Sequence, residues 1–270
     1  MRSALPRRAP RRRAEASRSR DCGAGDPRVR SLRLKLAIIQ PSYIPWRGYF
    51  HQIQKADVFM FYDDVQYDKH GWRNRNRVKT ANGTIWLTIP VAARGNVVEC
   101  TPINEIRCAG RSWRRKHWAT LQQSYGRTPH FERYAPLLES FYAQSEERLA
   151  ELTIELTRTL ARELGIADTR LVRSSELSGI EGAGTDRLIV LLRAVGADHF
   201  ISGPTARAYI DEAKLADAGV TLEYMRYEYP EYEQFYPPYD PHVSILDLLF
   251  MQGESAGDYI WGRQAAGGPA

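Results

Sequence analysis

The chain has 270 residues, 43% of them hydrophobic, with 8 Phe, 15 Tyr and 6 Trp, a content that excludes a disordered chain and allows a sizeable core. No run of about 18 apolar residues is present, which excludes a membrane-spanning helix. The net charge of +6 sits in residues 1–33, which hold 11 Arg against Glu15, Asp21 and Asp26; without them 27 basic face 29 acidic residues, so the body is no global polycation for nucleic acid.

Residues 1–33 lack an apolar signal core and are rich in Arg, Ala, Ser and Pro, the composition of a disordered arm. An α/β body is expected over 34–253, with a flexible tail over 254–270. Lys35–Gln40 reads as a buried strand, 46–56 as a short helix and Val58–Tyr62 as a second strand, the grammar of a βαβ unit with a parallel pair. Arg73–Thr80 and Thr84–Val91 flank Ala81-Asn82-Gly83, a hairpin signal. A strand is expected at 103–108. Helices follow at 113–124, 131–144 and 146–164, with Ser112 as an N-cap and Gly165 as a stop. Short strands at 171–173, 199–201 and 220–227 alternate with helices at 185–195 and 210–218, and a last helix covers 244–251. The fold class is therefore α/β, with a parallel-containing central sheet, flanking helices and an inserted β-hairpin.

Cys22, Cys100 and Cys108 form no CxxC and are odd in number, which argues against a zinc site and a disulfide framework and points to a reducing, cytoplasmic setting.

Three polar motifs share a position. Gln40 follows the first strand, Asp63 and Asp64 the second, and Ser202-Gly203 a later one. In a parallel sheet all three lie at the carboxyl edge, where ligands bind. Pro41 and Pro45 stiffen the loop after Gln40. The Asp pair can hold a divalent cation or orient a nucleophile; the structural alternative is a turn carboxylate bonded to amides. Arg73, Arg75, Arg77 and Lys79 are spaced by two and line one strand face, suited to phosphate or carboxylate beside Trp72. The plainer alternative for such a row is a solvated face. Trp113, His117, Leu121 and Ser124 fall on one helix stripe, which turns His117 inward as either a general base or a core histidine. Six tyrosines between Tyr224 and Tyr239 stack on a sugar or, as the safer expectation, pack as a loop. Ser244 and Asp247 have capping-box spacing.

Gln40-Pro-Ser-Tyr-Ile-Pro-Trp46 with Gly48-Tyr-Phe50, Asp63-Asp-Val-Gln-Tyr67 with Lys69, Trp72-Arg-Asn-Arg-Asn-Arg77 with Lys79, and Trp113 with Lys116-His117 occur in that order. Ser202-Gly203 with Tyr209, and the segment from His242 to Phe250, add support. Together, over roughly 35–253, they resemble the WbqC-like family, named for a bacterial O-antigen cluster protein. The resemblance implies an enzyme of bacterial glycan or natural-product biosynthesis, since some members are described as glycine or aminoacyl transferases acting on sugars. The function expected is acyl or aminoacyl transfer to an amino or hydroxyl group of an activated sugar or related metabolite. The alternatives are a metal-dependent glycosyltransferase using Asp63 and Asp64, and a nucleic-acid-binding module using the Arg73–Lys79 row.

The candidate catalytic residues are His117, Asp63, Asp64 and His242. The candidate substrate-binding residues are Gln40, Tyr43, Trp46, Gln66, Lys69, Trp72, Arg73, Asn74, Arg75, Lys79, Lys116, Ser202 and Tyr209. The expected partner is a small molecule bearing phosphate or carboxylate, with a carrier-protein thioester as one candidate donor. No cofactor, metal, membrane or nucleic acid is expected.

Deleting residues 1–30 should leave the thermal unfolding transition nearly unchanged, because that segment carries no apolar periodicity with which to pack. A large fall in the midpoint would show that the arm is part of the body.

Overall fold

A computed structural model describes residues 33–69, 71–92 and 101–262; the expected arm up to residue 32 and the tail from 263 lie outside the described residues. Among the described residues seven strands form two sheets. Strands β1 (Lys35–Ile39), β2 (Val58–Phe61), β5 (Arg170–Arg173), β6 (His199–Ser202) and β7 (Thr221–Tyr224) make one parallel sheet in the order β5-β2-β1-β6-β7. Strands β3 (Arg75–Thr80) and β4 (Gly83–Thr88) form a separate antiparallel hairpin. The fold is α/β.

Strand alternation sorts the core into two layers, because successive side chains leave opposite faces. Ala37, Phe59, Phe61 and Ile201 belong to one cluster, while Leu36, Val58, Met60 and Phe200 belong to the other. The first face is covered by α1 (Arg47–Lys55), through Tyr49, Phe50 and Ile53. To the same cluster contribute α2 (Ser112–Tyr125), α3 (Phe131–Ala143), α4 (Leu149–Glu163) and α7 (Ile245–Gln252). The second face is covered by α5 (Gly184–Val195) and α6 (Glu212–Asp217), through Leu188, Leu191, Leu192 and Leu215. Helix α5 ends at Gly196, whose φ of 75° is the left-handed conformation that suits glycine at a helix stop. Among the described residues no helix is long and apolar enough to cross a membrane.

Four local expectations are corrected. Residues 103–108 form a single 3-10 turn at Ile103–Glu105 and two isolated bridges at Arg107 and Cys108 in place of a strand. Helix α2 takes Arg111 as its N-cap, and Ser112 is already helical. Asp247 does not close a capping box: its carboxylate accepts hydrogen bonds from Tyr125 and Tyr232 while Ser244 alone caps α7. The packed body also runs past residue 253, since the 3-10 helix Gly253–Tyr259 buries Ala256, and Ile260 follows it into the core.

His117 does turn inward, as the stripe on α2 requires, but into packed protein. Its Nδ1 lies 2.9 Å from the Tyr43 hydroxyl, which also meets the Tyr142 hydroxyl at 2.6 Å. Trp113 stands edge-on to its ring, with centroids 5.3 Å apart. Burial pushes the imidazole down to about pKa 4, against a hydrogen bond to the Thr88 backbone that opposes the shift. The folded chain thus holds His117 neutral where the unfolded chain, near pKa 6.5, binds a proton. Between those two values the unfolded state takes up more protons, so stability falls as pH falls. Urea midpoints for the wild type and His117→Gln, measured from pH 7 to pH 4, should diverge in slope by up to about 1.4 kcal/mol per pH unit. Parallel curves would show that the imidazole titrates alike in both states.

Candidate functional site

The sheet order fixes where a crevice opens. From β1 the chain moves to β2 and β5 on one side, then returns to place β6 and β7 on the other. The loops that leave β1 and β6 at their carboxyl ends therefore diverge, which is the usual ligand position in an open parallel sheet. A cleft of about 850 Å³ lies there, with Gln40 and Ser42 from the loop after β1, and Ser202, Gly203 and Tyr209 from the end of β6 and beyond. Trp46, Tyr49 and Gln52 enter from the loop and α1, Trp72 and Arg73 from the approach to β3, Tyr227 from the segment after β7, and His242 from the approach to α7.

The loop 40–46 is held under strain. Ile44 is fully buried with a φ of 38°, a left-handed conformation that costs a β-branched residue about 1–3 kcal/mol. Asn76 on β3 holds it there: its Nδ2 donates to the Tyr43 and Ile44 carbonyls at 3.2 and 2.8 Å, and the Tyr43 N–H donates to the Trp72 carbonyl at 3.3 Å. Trp46 then folds back over Gly48; a Cβ on that glycine would lie 2.3 Å from the indole. The Trp46 ring packs edge-on against Tyr227, with centroids 4.9 Å apart.

The cationic row has the expected spacing but divided duties. Lys79 is buried, and its ammonium donates to Gln234 and to the Pro238 carbonyl. Arg77 donates to the His242 carbonyl at 3.2 Å and lies 3.6 Å from the Asp240 carboxylate. These two therefore fasten the 234–242 segment. Arg75 lies over the Trp86 ring at 4.7 Å. Arg73 alone of the four lines the cleft, and its Nε and Nη1 are shut off from solvent with no hydrogen-bond partner. Burial lowers its proton affinity, while nearby Tyr49 and Asp68 act the other way. The residue as a whole is half-buried, and Asp68 shares its stretch of cleft wall, but two guanidinium nitrogens shut off from solvent without a partner suit an anion.

His242 is exposed on the cleft rim. Its backbone N–H donates to Asp240 Oδ1 at 2.9 Å, and its Nδ1 stands 3.7 Å from the same oxygen. Asp240 itself is placed by Gln234, whose Oε1 accepts the Asp240 N–H at 2.8 Å.

The Asp motif is at the same sheet edge but faces β5. Asp63 is fully buried and accepts from Arg173 Nη2 at 2.7 Å, from the Ser175 N–H at 3.1 Å and from Ser175 Oγ at 2.9 Å. Asp64 accepts from Arg187 at 2.6 Å and Ser174 at 2.6 Å. Neither lines the cleft, so the expectation that Gln40, the Asp pair and Ser202 border one crevice holds for Gln40 and Ser202 and fails for Asp63 and Asp64. Tyr43, Asn74 and His117 are also interior: Asn74 spends its amide on the Ile89 carbonyl at 2.8 Å. Gln66, Lys69 and Lys116 are exposed and away from the cleft walls. Tyr227 is the one of the six tyrosines from 224 to 239 that reaches the cleft wall, whereas Gln52, Tyr49 and Asp240 were not anticipated as site residues. Tyr49 and Gln52 lie on α1 at the i, i+3 spacing, one turn after the Pro-rich loop, which is the signal that could have found them.

A model of the WbqC-like protein family matches residues 40–259, a stretch that begins at Gln40 on the cleft wall and ends with the 3-10 helix after α7. An uncharacterized protein of Mycobacterium tuberculosis, Rv1507c, is 39% identical over 228 residues, covering 84% of this chain and 97% of that protein. No solved structure matches the chain. With most of its length taken up by that match, the chain belongs to the WbqC-like protein family.

Proposed function

We propose that this cleft is the active site of a cytoplasmic group-transfer enzyme of bacterial glycan or natural-product biosynthesis. The reaction is acyl or aminoacyl transfer to an amino or hydroxyl group of an activated sugar or related metabolite. The observation that carries this reading is Arg73, a half-buried guanidinium whose Nε and Nη1 are shielded from solvent without hydrogen-bond partners, set in an aromatic cleft at the switch point of the sheet. Its fork suits a phosphate or carboxylate on the substrate.

His242 takes the role of base, since His117 is locked in the interior. The acceptor nitrogen or oxygen attacks the acyl carbon while its proton passes to the His242 ring. The bond to the leaving group breaks with its electron pair, and that group, a thiolate if the donor is a small or carrier-borne thioester, receives the proton in turn. Asp240 holds the His242 backbone through its N–H and places a carboxylate 3.7 Å from the ring, where it favours the imidazolium that forms. The rival readings lose their residues. A metal-dependent glycosyltransferase would need the Asp63 and Asp64 oxygens that Arg173, Arg187 and the serines already occupy. A nucleic-acid track would need Arg77 and Lys79, which the 234–242 segment covers.

Incubating the protein with amino-sugar nucleotides and short acyl or glycyl thioesters should yield acylated sugar, read by mass. His242→Gln should slow this by roughly a hundredfold or more. Unchanged turnover in that variant would move the base elsewhere. Arg73→Met should abolish turnover at low substrate while its thermal midpoint stays near the wild-type value, because the half-buried guanidinium has two solvent-shielded nitrogens with no hydrogen bond to lose. A marked fall in that midpoint would make Arg73 a folding residue and sink its role as an anion anchor.

A further inference from the structure

The mouth of the cleft carries large aromatic rings that folding leaves uncovered. Trp72 is 42% exposed and Tyr209 is 71% exposed, and both line the cleft. They come from different parts of the chain, Trp72 from the approach to β3 and Tyr209 from the turn after β6, and they share the cleft wall with the Arg73 guanidinium. Trp72 precedes Arg73 directly in the chain. Trp72 is also braced. The Trp86 ring lies against it, with centroids 5.1 Å apart, and Arg75 lies over Trp86 in turn. A fixed and uncovered indole beside an unsatisfied guanidinium matches a ligand in which a flat ring is joined to phosphate.

We propose that the cleft takes a nucleoside diphosphate, with phosphate on Arg73 and the base stacked on Trp72, Tyr209 supplying a second ring. This deepens the reaction proposed above and rests on it for one point only, that the nucleotide is the handle of a reactant. A neutral sugar would stack on Trp72 but would leave Arg73 unanswered. A polynucleotide would need a continuous basic track, and the row is interrupted where Arg77 and Lys79 hold the 234–242 segment. The nucleotide belongs either to the activated acceptor or to an adenine-bearing acyl donor; both offer the same ring and phosphate.

Calorimetric titration of the full chain with uridine diphosphate, adenosine diphosphate, pyrophosphate and N-acetylglucosamine separates these cases. At least one nucleotide should bind about tenfold or more tightly than pyrophosphate, the usual scale of base stacking on an aromatic side chain. Preference for uridine diphosphate assigns the site to the acceptor, and preference for adenosine diphosphate assigns it to the donor. Trp72→Ala should weaken the nucleotide about tenfold, leave pyrophosphate unchanged and keep a single cooperative thermal transition, since the ring packs on Trp86 at the surface and not in the core. Arg73→Met should weaken both. Pyrophosphate binding as tightly as either nucleotide, no effect of Trp72→Ala, or N-acetylglucosamine binding as well as the nucleotides would each overturn the inference. These measurements need no turnover. Nucleotide binding without acyl transfer would sink the reaction and keep the site, whereas product formation without nucleotide binding would do the reverse.

Discussion

The side-chain amide of Asn76 holds the cleft together. It reaches from the hairpin to the Tyr43 and Ile44 carbonyls and keeps a buried isoleucine in a backbone conformation it would otherwise leave. The same strand works in the other direction. The Arg77 carbonyl accepts the Ser244 N–H at the start of α7, and its guanidinium and the Lys79 ammonium grip the 234–242 segment. Strand β3 is thus the post on which two walls hang, one carrying Gln40 and Ser42 and the other carrying His242. The parallel sheet supplies the floor, and the hairpin decides how far apart the walls stand.

The parts of this arrangement that were legible in the sequence depend on near neighbours. The apolar runs at Lys35–Ile39 and Val58–Phe61, the Asn82-Gly83 turn and the glycine stop at Gly196 each announce themselves within a few residues. The shared edge of Gln40 and Ser202 followed from strand direction alone. The partner of a charge is another matter. Nothing beside Asp63 says that Arg173 will meet it, and nothing beside Arg77 says that Asp240 will cover it, because both contacts are made by remote segments. The helical stripe correctly turned His117 inward, but periodicity gives a direction and not a destination. Whether that destination is a crevice or packed tyrosines depends on Tyr43 and Tyr142, contributed by other elements.

The tyrosine-rich segment shows the same division. Its composition suggested either a sugar platform or a packed loop, and packing claims most of it. Arg47 binds the Tyr239 hydroxyl at 2.6 Å and the Pro230 and Tyr259 carbonyls, and lies over the Tyr229 ring at 4.6 Å. Tyr232 bonds to Asp247. Tyr227 is left for the cleft, where its hydroxyl accepts from Gln52. Aromatic residues with hydroxyl groups are suited to this double use, since the ring fills volume while the oxygen satisfies a buried polar partner.

The sheet order also governs how the chain comes off the ribosome. Strand β1 is the centre of the sheet and is made before its other strands, yet its neighbour β6 and the edge strand β7 are made only after the hairpin and α1 to α5. Until then one side of β1 has no strand to pair with, and the half-built sheet presents Leu36, Val58 and Met60 with no α5 to cover them. Such late, long-range pairing slows folding and leaves sticky intermediates. Nascent chains therefore carry an unpaired β1 edge until β6 emerges, and truncations that stop short of β6 expose the very edge on which the finished molecule builds its cleft.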